Sequence, residues 1–345
     1  MSDWSEEFDA EGIYLDTASL GLPPRRTTQA LTDELETWSL GWRHAPDYDA
    51  YVESSRTSFA QLVSVDRSLV AIGPQASVYV GLVAWSLPAD AVVLVPEGEF
   101  TSVTFPFLAR GLDVREVPLS ELAGHIDESV TLVAFAAVQS ADGSLADLDA
   151  VVDAASRHGV LTLVDLTQAA GWLPIDASRF DYTVCSAYKW LLSPRGTCFL
   201  TVSEDRLDSL TPNAPGWYAG DNPWTSIYGT PLRLATDARR FDISPAWHAW
   251  VGTAASLEFL TNVGRDALHR HAVGLADEFC TKVGLTPTGS AIVSISTRDD
   301  VTSALEQHSL RAATRAGRLR LSFHINNSSD DVAAAAEALG DYVLL

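Results

Sequence analysis

The sequence from Leu161 to Gly196 reads LTLVDLTQAAGWLPIDASRFDYTVCSAYKWLLSPRG. The apolar run LTLVD ends in Asp165, Gln168 follows three residues later, and Lys189 comes shortly after the next apolar run, YTVCS. Short apolar runs of this kind are typical of buried strands in an α/β sheet, and ligands collect where such strands end. This stretch therefore predicts an α/β fold with a site formed by Asp165, Gln168 and Lys189.

Lys189 is one of only two lysines in the 345 residues, and the other, Lys282, falls near the end of an amphipathic helix-like run. An arginine cannot lose its proton in a protein, whereas a lysine with a lowered pKa can act as a nucleophile. Lys189 stands among Tyr188, Trp190 and Leu191, which predicts a partly desolvated amine rather than a surface charge.

The charge of the chain limits the kinds of partner it can have. There are 23 basic and 45 acidic residues, so the net charge is −22. This charge repels phosphate backbones and anionic lipid surfaces, and we expect neither nucleic-acid nor membrane partners. The N-terminal residues lack the pattern of a secretory signal, and three widely spaced cysteines suggest reduced thiols, so the expected location is cytoplasmic.

Apolar runs alternate with helix-like segments from about residue 68 to 202, which predicts a mostly parallel central sheet sandwiched by helices. The candidate strands are Leu69 to Ile72, Ala91 to Val95, Val114 to Val117, Val130 to Val138, Val160 to Asp165, Tyr182 to Ser186 and Thr197 to Val202. We expect a large domain at 45–250 and a smaller α+β domain formed by residues 1–44 and 251–345. Residues 203–245 read as a long functional loop.

The acid, the glutamine and the lysine are the set that a pyridoxal 5′-phosphate site needs. The lysine forms a Schiff base, the carboxylate keeps the pyridine nitrogen protonated, and the amide bonds the ring oxygen. Taken singly, Asp165 could be a helix N-cap and Gln168 a solvated residue, but the three together favour the cofactor site.

The segments VDLTQAAG and SAYKWLLSPRG resemble the D-x-x-Q and S-x-x-K motifs of the class V aminotransferase family. This family of fold type I pyridoxal-phosphate enzymes includes cysteine desulfurases, kynureninases and isopenicillin-epimerase-like proteins. The resemblance runs from YLDTASLGLPP near the N-terminus to LRLSFHINNSSDDV near the C-terminus. It implies an amino-acid substrate and a homodimer whose active site lies at the subunit interface.

The resemblance also assigns roles to residues outside the central stretch. Ser186 is implied to bind the cofactor phosphate, together with Ala76 and Ser77 in AIGPQASVYVG. Phe100 is implied to cover the cofactor ring, and Arg320 in GRLRLSFHINN is implied to clamp the substrate carboxylate.

Ser140, Thr230 and Tyr218 are placed near the cofactor or the substrate by resemblance only, and segment 217–250 is a candidate contact with the partner chain. Two departures from the family pattern touch the phosphate pocket. Tyr188 stands where many relatives have histidine, and Ser193 replaces a frequent glycine.

The resemblance leaves the reaction type open. The loop at 203–245 and the stretch at 284–326 contain no cysteine, so a persulfide-forming desulfurase is not expected. The primary expectation is an aminotransferase. The alternatives are a carbon–sulfur lyase without a persulfide cysteine, an epimerase or kynureninase-like enzyme, and a cofactor-binding regulatory protein. No metal site is expected, because His269 and His271 fall on different faces of a helix.

Overall fold

The computed structural model describes residues 4–298 and 300–344 of the chain. Its main sheet is built from β2 (Val70–Gly73), β3 (Val92–Pro96), β4 (Asp113–Val117), β5 (Leu132–Ala136), β6 (Leu161–Asp165), β7 (Tyr182–Ser186) and β8 (Cys198–Val202). Their spatial order is β2-β8-β7-β6-β5-β3-β4. All seven strands expected from the sequence are therefore present in one sheet.

The sheet is mostly parallel, as predicted. Strand β3 runs parallel to β4 and β5, and β5, β6 and β7 continue in the same direction. Strand β8 is antiparallel to both of its neighbours, β7 and β2. The carboxyl ends of β6 and β7 consequently lie at the same edge of the sheet, where parallel sheets bind ligands.

Helices cover both faces of this sheet. They are α1 (Arg25–Ser39), α2 (Asp49–Leu62), α3 (Ala76–Ser86), α4 (Thr101–Ala109), α5 (Leu148–His158) and α6 (Trp247–Val263). Side chains alternate across each strand, so Val93 and Val95 pack with α3 and α4, whereas Leu94 packs with the core on the side of α2, α5 and α6. Burial on both faces explains why these strands are almost continuously apolar.

The C-terminal part of the chain forms a smaller α+β unit. It contains α7 (Arg265–Lys282), β9 (Ile292–Ile295), α8 (Val301–Gln307), β10 (Leu310–Arg311), β11 (Ala313–Arg315), β12 (Arg318–Ser322) and α9 (Ser329–Leu339). Strands β11, β12 and β9 form an antiparallel sheet. The short strand β1 (Ile13–Tyr14) pairs with β10, which brings the two ends of the chain together. Helix α6 continues through residue 250, and the domain boundaries themselves stay a prediction.

The long segment 203–245 carries four short 3₁₀ helices, at Glu204–Arg206, Trp217–Ala219, Pro223–Thr225 and Ala238–Phe241, within residues that are all described. Its C-terminal end is fixed by Asp242, a buried carboxylate that accepts from Arg56 Nη2 at 2.7 Å and from the Ile72 backbone N–H at 2.9 Å. A buried ion pair therefore joins this segment to α2, and a hydrogen bond from the Ile72 backbone joins it to β2.

Candidate active site

One cavity at the carboxyl edge of the sheet collects most of the predicted site residues. It has a volume of about 330 Å³, within the range of small-molecule sites. The predicted residues that line it are Ala76, Ser77, Phe100, Asp165, Gln168, Ser186 and Lys189. A larger surface cavity of about 900 Å³ beside Trp4 and Phe259 contains none of them and lies on another part of the molecule.

Lys189 follows β7 in a tight turn and is 6% exposed. Its Nζ lies 5.4 Å from the centroid of the Phe100 ring, and no carboxylate of the described residues lies within 4 Å of it. Burial lowers the pKa of Lys189 to about 8, the negative charge of Asp165 opposes this shift, and the positive charge of Arg320 adds to it. The amine is therefore far easier to deprotonate than an ordinary lysine.

Two glycines allow the Lys189 turn to pack closely against the rest of the site. A Cβ at Gly21 would lie 2.0 Å from the Lys189 carbonyl oxygen, and a Cβ at Gly171 would lie 2.4 Å from the Trp190 carbonyl oxygen. Gly171 also has a φ of +110°. Sequence reasoning assigned neither glycine a role, although Gly21 belongs to the YLDTASLGLPP segment and Gly171 to VDLTQAAG.

Asp165 occupies the last position of β6, where its carboxylate faces the cavity and is almost fully buried. Its Oδ1 accepts from the Thr167 backbone N–H at 2.8 Å, and Thr167 Oγ1 in turn accepts from the Ser186 backbone N–H at 3.0 Å. Burial raises the pKa of Asp165, while the Thr167 hydrogen bond and the nearby Lys189 charge act in the opposite direction. A positively charged ligand atom beside Asp165 would favour the ionised form.

Gln168 is held by three hydrogen bonds through its side chain. Its Nε2 donates to the Ala18 carbonyl oxygen at 3.0 Å and to Ser140 Oγ at 2.9 Å, and its Oε1 accepts from Trp190 Nε1 at 2.7 Å. The amide orientation is thus fixed by Trp190, the residue that follows Lys189. Ser140, which the resemblance places near the cofactor or the substrate, also lines the cavity.

The N-terminus of α3 faces the cavity at Ala76 and Ser77. The preceding residue, Gln75, makes no side-chain cap, and the Ala76 backbone N–H donates to Ser186 Oγ at 3.3 Å. Backbone N–H groups at a helix start and a serine hydroxyl together form an anion site. Arg195 also lines the cavity, and its guanidinium lies 5.1 Å from the centroid of the Tyr188 ring.

Phe100 precedes α4 and is 45% exposed, with its ring at the cavity. Its backbone N–H donates to Glu99 Oε1 at 2.7 Å, and Glu99 Oε2 accepts from the Ala136 N–H at 2.8 Å and from Gln139 Nε2 at 2.9 Å. Burial raises the pKa of Glu99. Sequence reasoning missed Glu99, which is one of two acidic residues in PEGEF and lies three residues after the end of the buried strand β3.

Arg320 is 1% exposed on β12 and does not itself line this cavity, but it contacts Ser140, which does. Its Nη1 donates to the Ser140 carbonyl oxygen and its Nη2 donates to Ser19 Oγ at 2.7 Å, while its Nε has no partner among the described residues. Asp16 Oδ1 is 3.7 Å from Nη2. Burial, reinforced by the charge of Arg315, lowers the pKa of Arg320 to about 10. The unpaired, buried Nε is a donor that lacks its acceptor.

Two residues placed by resemblance lie elsewhere in this chain. Tyr218 is buried and its hydroxyl donates to Asp49 Oδ1 at 2.8 Å, and Thr230 is exposed in the long segment. Neither lines the cavity of its own chain.

The chemistry of the cavity fits pyridoxal 5′-phosphate. An unpaired amine, a buried carboxylate, an aromatic face and a helix N-terminus with a serine hydroxyl match the aldehyde, ring nitrogen, ring face and phosphate of that molecule. Residues 103–294, more than half of the chain, match the family Aminotransferase class-V. The chain belongs to the class-V aminotransferase family.

Members of this family resemble the chain over most of its length. The uncharacterized aminotransferase YcbU of Bacillus subtilis is 27% identical over 93% of this chain and 91% of its own length. The kynureninase of Deinococcus radiodurans is 29% identical over 79% of this chain and 72% of its own length. The resemblance to the class V family is therefore confirmed, and the cofactor of this class-V protein is pyridoxal 5′-phosphate.

A solved structure confirms the predicted fold type. The complex between the cystine C–S lyase C-DES and its reaction product cysteine persulfide superimposes with a TM-score of 0.86 over 97% of this chain and 99% of that chain, at 20% sequence identity. This class-V chain has the fold type I architecture. None of the helices in residues 4–298 and 300–344 is both long enough and apolar enough to cross a membrane.

Proposed function

We propose that this class-V protein is a pyridoxal-phosphate-dependent aminotransferase that acts on an amino acid. The observation that carries the pyridoxal-phosphate chemistry of this proposal is the buried Lys189 amine, whose pKa is lowered to about 8 and which shares one cavity with Asp165. An amine that can be neutral near physiological pH is able to bond to the cofactor aldehyde and to accept a proton.

We assign the cofactor-binding roles as follows. Lys189 bonds covalently to the cofactor aldehyde and Asp165 pairs with the pyridine nitrogen. Gln168 donates to the ring oxygen, exchanging one of its present acceptors, Ala18 O or Ser140 Oγ, for that oxygen. Phe100 covers the ring face. The phosphate is held by the backbone N–H groups of Ala76 and Ser77 and by the Ser186 hydroxyl.

Bound pyridoxal phosphate supplies an electron sink for the bond that breaks at the substrate α-carbon. The substrate carboxylate is bound by Arg320, whose buried Nε has no acceptor at present. Lys189 Nζ, released from the aldehyde when the substrate amine takes its place there, would remove the α-proton as general base and return it as general acid. Asp165 would be ionised beside the protonated ring nitrogen and would hold that proton in place.

The cysteines argue against a desulfurase that carries sulfur on its own thiol. Cys185, Cys198 and Cys280 are the only cysteines in the sequence, and all three are buried and free. Burial raises the pKa of each thiol, which disfavours the reactive thiolate. A carbon–sulfur lyase that releases its product directly is the second candidate, because that reaction needs no reactive cysteine on the enzyme. Reduced thiols also agree with a cytoplasmic protein.

We propose further that the working unit is a homodimer. Trp38, Trp42, Tyr228 and Leu232 are large apolar side chains that are more than half exposed, and Tyr228 reaches 86%. Apolar groups exposed to this degree favour association. Tyr228 and Leu232 belong to segment 217–250, the predicted contact with the partner chain.

The experiment that tests the proposed function is a titration of the cofactor-loaded protein with a panel of amino acids, followed by visible absorbance and by mass spectrometry of the products. A lasting spectral change with stoichiometric release of a 2-keto acid, reversed by a second keto acid, indicates an aminotransferase. A change that recovers with release of ammonia and a thiol indicates the lyase. A protein that binds the cofactor and responds to no amino acid would instead be a binding or regulatory protein.

A further inference from the structure

Two arginines meet at one hydroxyl beside the cavity. Ser19 Oγ accepts from Arg320 Nη2 at 2.7 Å and from Arg315 Nη2 at 3.0 Å. Arg320 is buried, whereas Arg315 is exposed at the end of β11. The two guanidinium groups are thus separated by no more than one hydroxyl group, and one of them is open to solvent.

This pair of cations is not neutralised by the residues around it. Among the described residues, no carboxylate lies within 4 Å of Arg315, whose other hydrogen bond goes from Nη1 to the Thr314 carbonyl oxygen at 2.8 Å. Arg320 has Asp16 at 3.7 Å. Of these two positive charges, only that of Arg320 therefore has a carboxylate within 4 Å among the described residues, in a protein with 45 acidic and 23 basic residues.

Two donors in this cluster also lack an acceptor. Arg320 Nε is buried and unpaired. Ser19 Oγ uses its acceptor capacity on the two arginines, and the described residues offer no acceptor for its own proton. Unpaired donors next to uncompensated positive charge are what an anion-binding site presents before its ligand arrives.

The positive charges of Arg315 and Arg320 also affect the Lys189 amine. Arg320 and Arg315 both lower the pKa of Lys189, after burial as the largest cause and against the effect of Asp165. Arg320 Nη1 also donates to the carbonyl oxygen of Ser140, a residue that lines the Lys189 cavity, so the cluster of Arg315, Arg320 and Ser19 lies against this cavity rather than on a separate surface.

We propose that Arg315 binds a second acidic group, carried on the substrate side chain, so that the site selects amino acids with an anionic side chain. This inference rests on the proposed function, in which Arg320 takes the α-carboxylate. An amino acid with a neutral side chain has one carboxylate, which would accept from Arg320, and the positive charge of Arg315 would have no negatively charged partner. An amino acid with a side-chain carboxylate satisfies both cations, and the Ser19 proton is available to one of the two carboxylates.

The test compares acidic amino acids with neutral partners of similar shape on the cofactor-loaded protein. The pairs are glutamate with glutamine, aspartate with asparagine, and S-carboxymethylcysteine with S-methylcysteine, so that both transamination and elimination are covered. For each compound the dissociation constant is taken from the visible spectrum, and kcat/KM from product release. We expect the wild-type protein to prefer the acidic member of at least one pair.

Arg315→Gln should raise the dissociation constant of that acidic amino acid about tenfold to a hundredfold, the effect of losing a charge-assisted hydrogen bond. The dissociation constant of its neutral partner should change little. Arg320→Gln should raise the dissociation constants of both the acidic and the neutral amino acid of the pair. The matched control is Arg318→Gln, because Arg318 is exposed on the same hairpin but donates to Ser294 Oγ at 3.1 Å and to the Ser294 carbonyl at 2.8 Å. This variant should leave the preference unchanged.

If Arg315→Gln lowered the affinity for the acidic and the neutral amino acid equally, Arg315 would only orient Arg320 through Ser19. That result would overturn the inference and leave the proposed function standing. A wild-type preference for neutral amino acids would overturn it in the same way. A spectrum that no amino acid alters would remove the proposed function, and the inference with it.

Discussion

The Trp190 indole donates from Nε1 to Gln168 Oε1 at 2.7 Å, and both side chains are buried. This bond joins the two segments that define the site, VDLTQAAG and SAYKWLLSPRG. Trp190 follows Lys189, so the bond ties the residue assigned to the cofactor ring oxygen to the turn that carries the amine. The His324 ring packs against Trp190 at 5.1 Å and completes the support of this turn.

Trp190→Phe should lower the free energy of unfolding by about 1–3 kcal/mol, because Gln168 Oε1 is left buried without a donor. It should also weaken cofactor binding, since the Gln168 amide loses one of the three hydrogen bonds that hold its orientation. Denaturant titration and a cofactor titration check the two effects. Trp172→Phe is the matched control, because Trp172 Nε1 donates to the backbone oxygen of Gln168 at 2.6 Å. A similar loss of cofactor affinity in both variants would contradict a specific role of the side-chain amide.

Lys189→Arg keeps a positive charge but removes an amine that can lose its proton. We expect the visible absorbance of the bound cofactor to change and turnover to fall by about 10²–10⁴-fold, the range typical of a lost general acid–base group. Absorbance and product release are measured on protein loaded with the cofactor. Lys282→Arg is the control, because Lys282 pairs with Glu278 at 3.6 Å on a distant helix. Turnover that survives Lys189→Arg would refute the assignment.

The Lys189 amine of the cofactor-free protein should react with a small aldehyde, under reducing conditions, with a midpoint near pH 8 instead of the ordinary lysine value of 10.5. Reactivity rises with pH because only the neutral amine is nucleophilic. Between these two pH values the unfolded chain holds a proton that the folded chain has lost, so the contribution of Lys189 to stability rises with pH in this window. Asp165→Asn should move the midpoint lower, because the Asp165 charge raises the pKa of Lys189. Peptide mass spectrometry gives the midpoint, and one close to 10.5 would contradict burial of the amine.

Replacing Cys185, Cys198 or Cys280 singly by alanine should leave turnover per folded molecule unchanged and cost about 1 kcal/mol of stability, because each is a small buried side chain. A thiol reagent applied to the native protein should likewise fail to inactivate it. Loss of activity in one variant, with normal stability, would identify a reactive cysteine and revive the desulfurase alternative.

Asp242→Asn should destabilise the protein by about 3–5 kcal/mol, because it removes the buried carboxylate of Arg56 and leaves only the partly exposed Glu53, at 3.2 Å from Nε, as a charged partner. Asp237→Asn breaks the half-exposed pair with Arg239 in the same segment and should cost no more than about 1 kcal/mol. Chemical denaturation measures both. Equal losses of stability in the two variants would show that the buried pair of Asp242 and Arg56 does not hold the long segment in place.

Several parts of the fold were predictable because burial leaves a direct signal in the sequence. Strand β7 was expected at Tyr182 to Ser186 and has these bounds. Strand β5 is Leu132–Ala136, shorter than the expected Val130 to Val138, because Ala137 and Val138 are buried without continuing the strand. Apolar residues report burial rather than hydrogen bonding between strands. The reversed direction of β8 had no signal in composition; it follows from a connection, 187–197, that contains no crossover helix.

The sequence by itself predicted the cofactor of this protein from a nearly unique lysine, an acid at a strand end and a following glutamine, in segments whose apolar runs indicate their place at the edge of a sheet. Only the tertiary structure decided which distant groups complete the site. Arg320 reaches Ser140 across 180 positions and Ser19 across 301, and Gly21 packs against the Lys189 carbonyl. Periodicity and motif spacing describe neighbours along the chain. Contacts of this kind arise only when the chain ends pair through β1 and β10 and bring the β11–β12 hairpin beside the N-terminal segment.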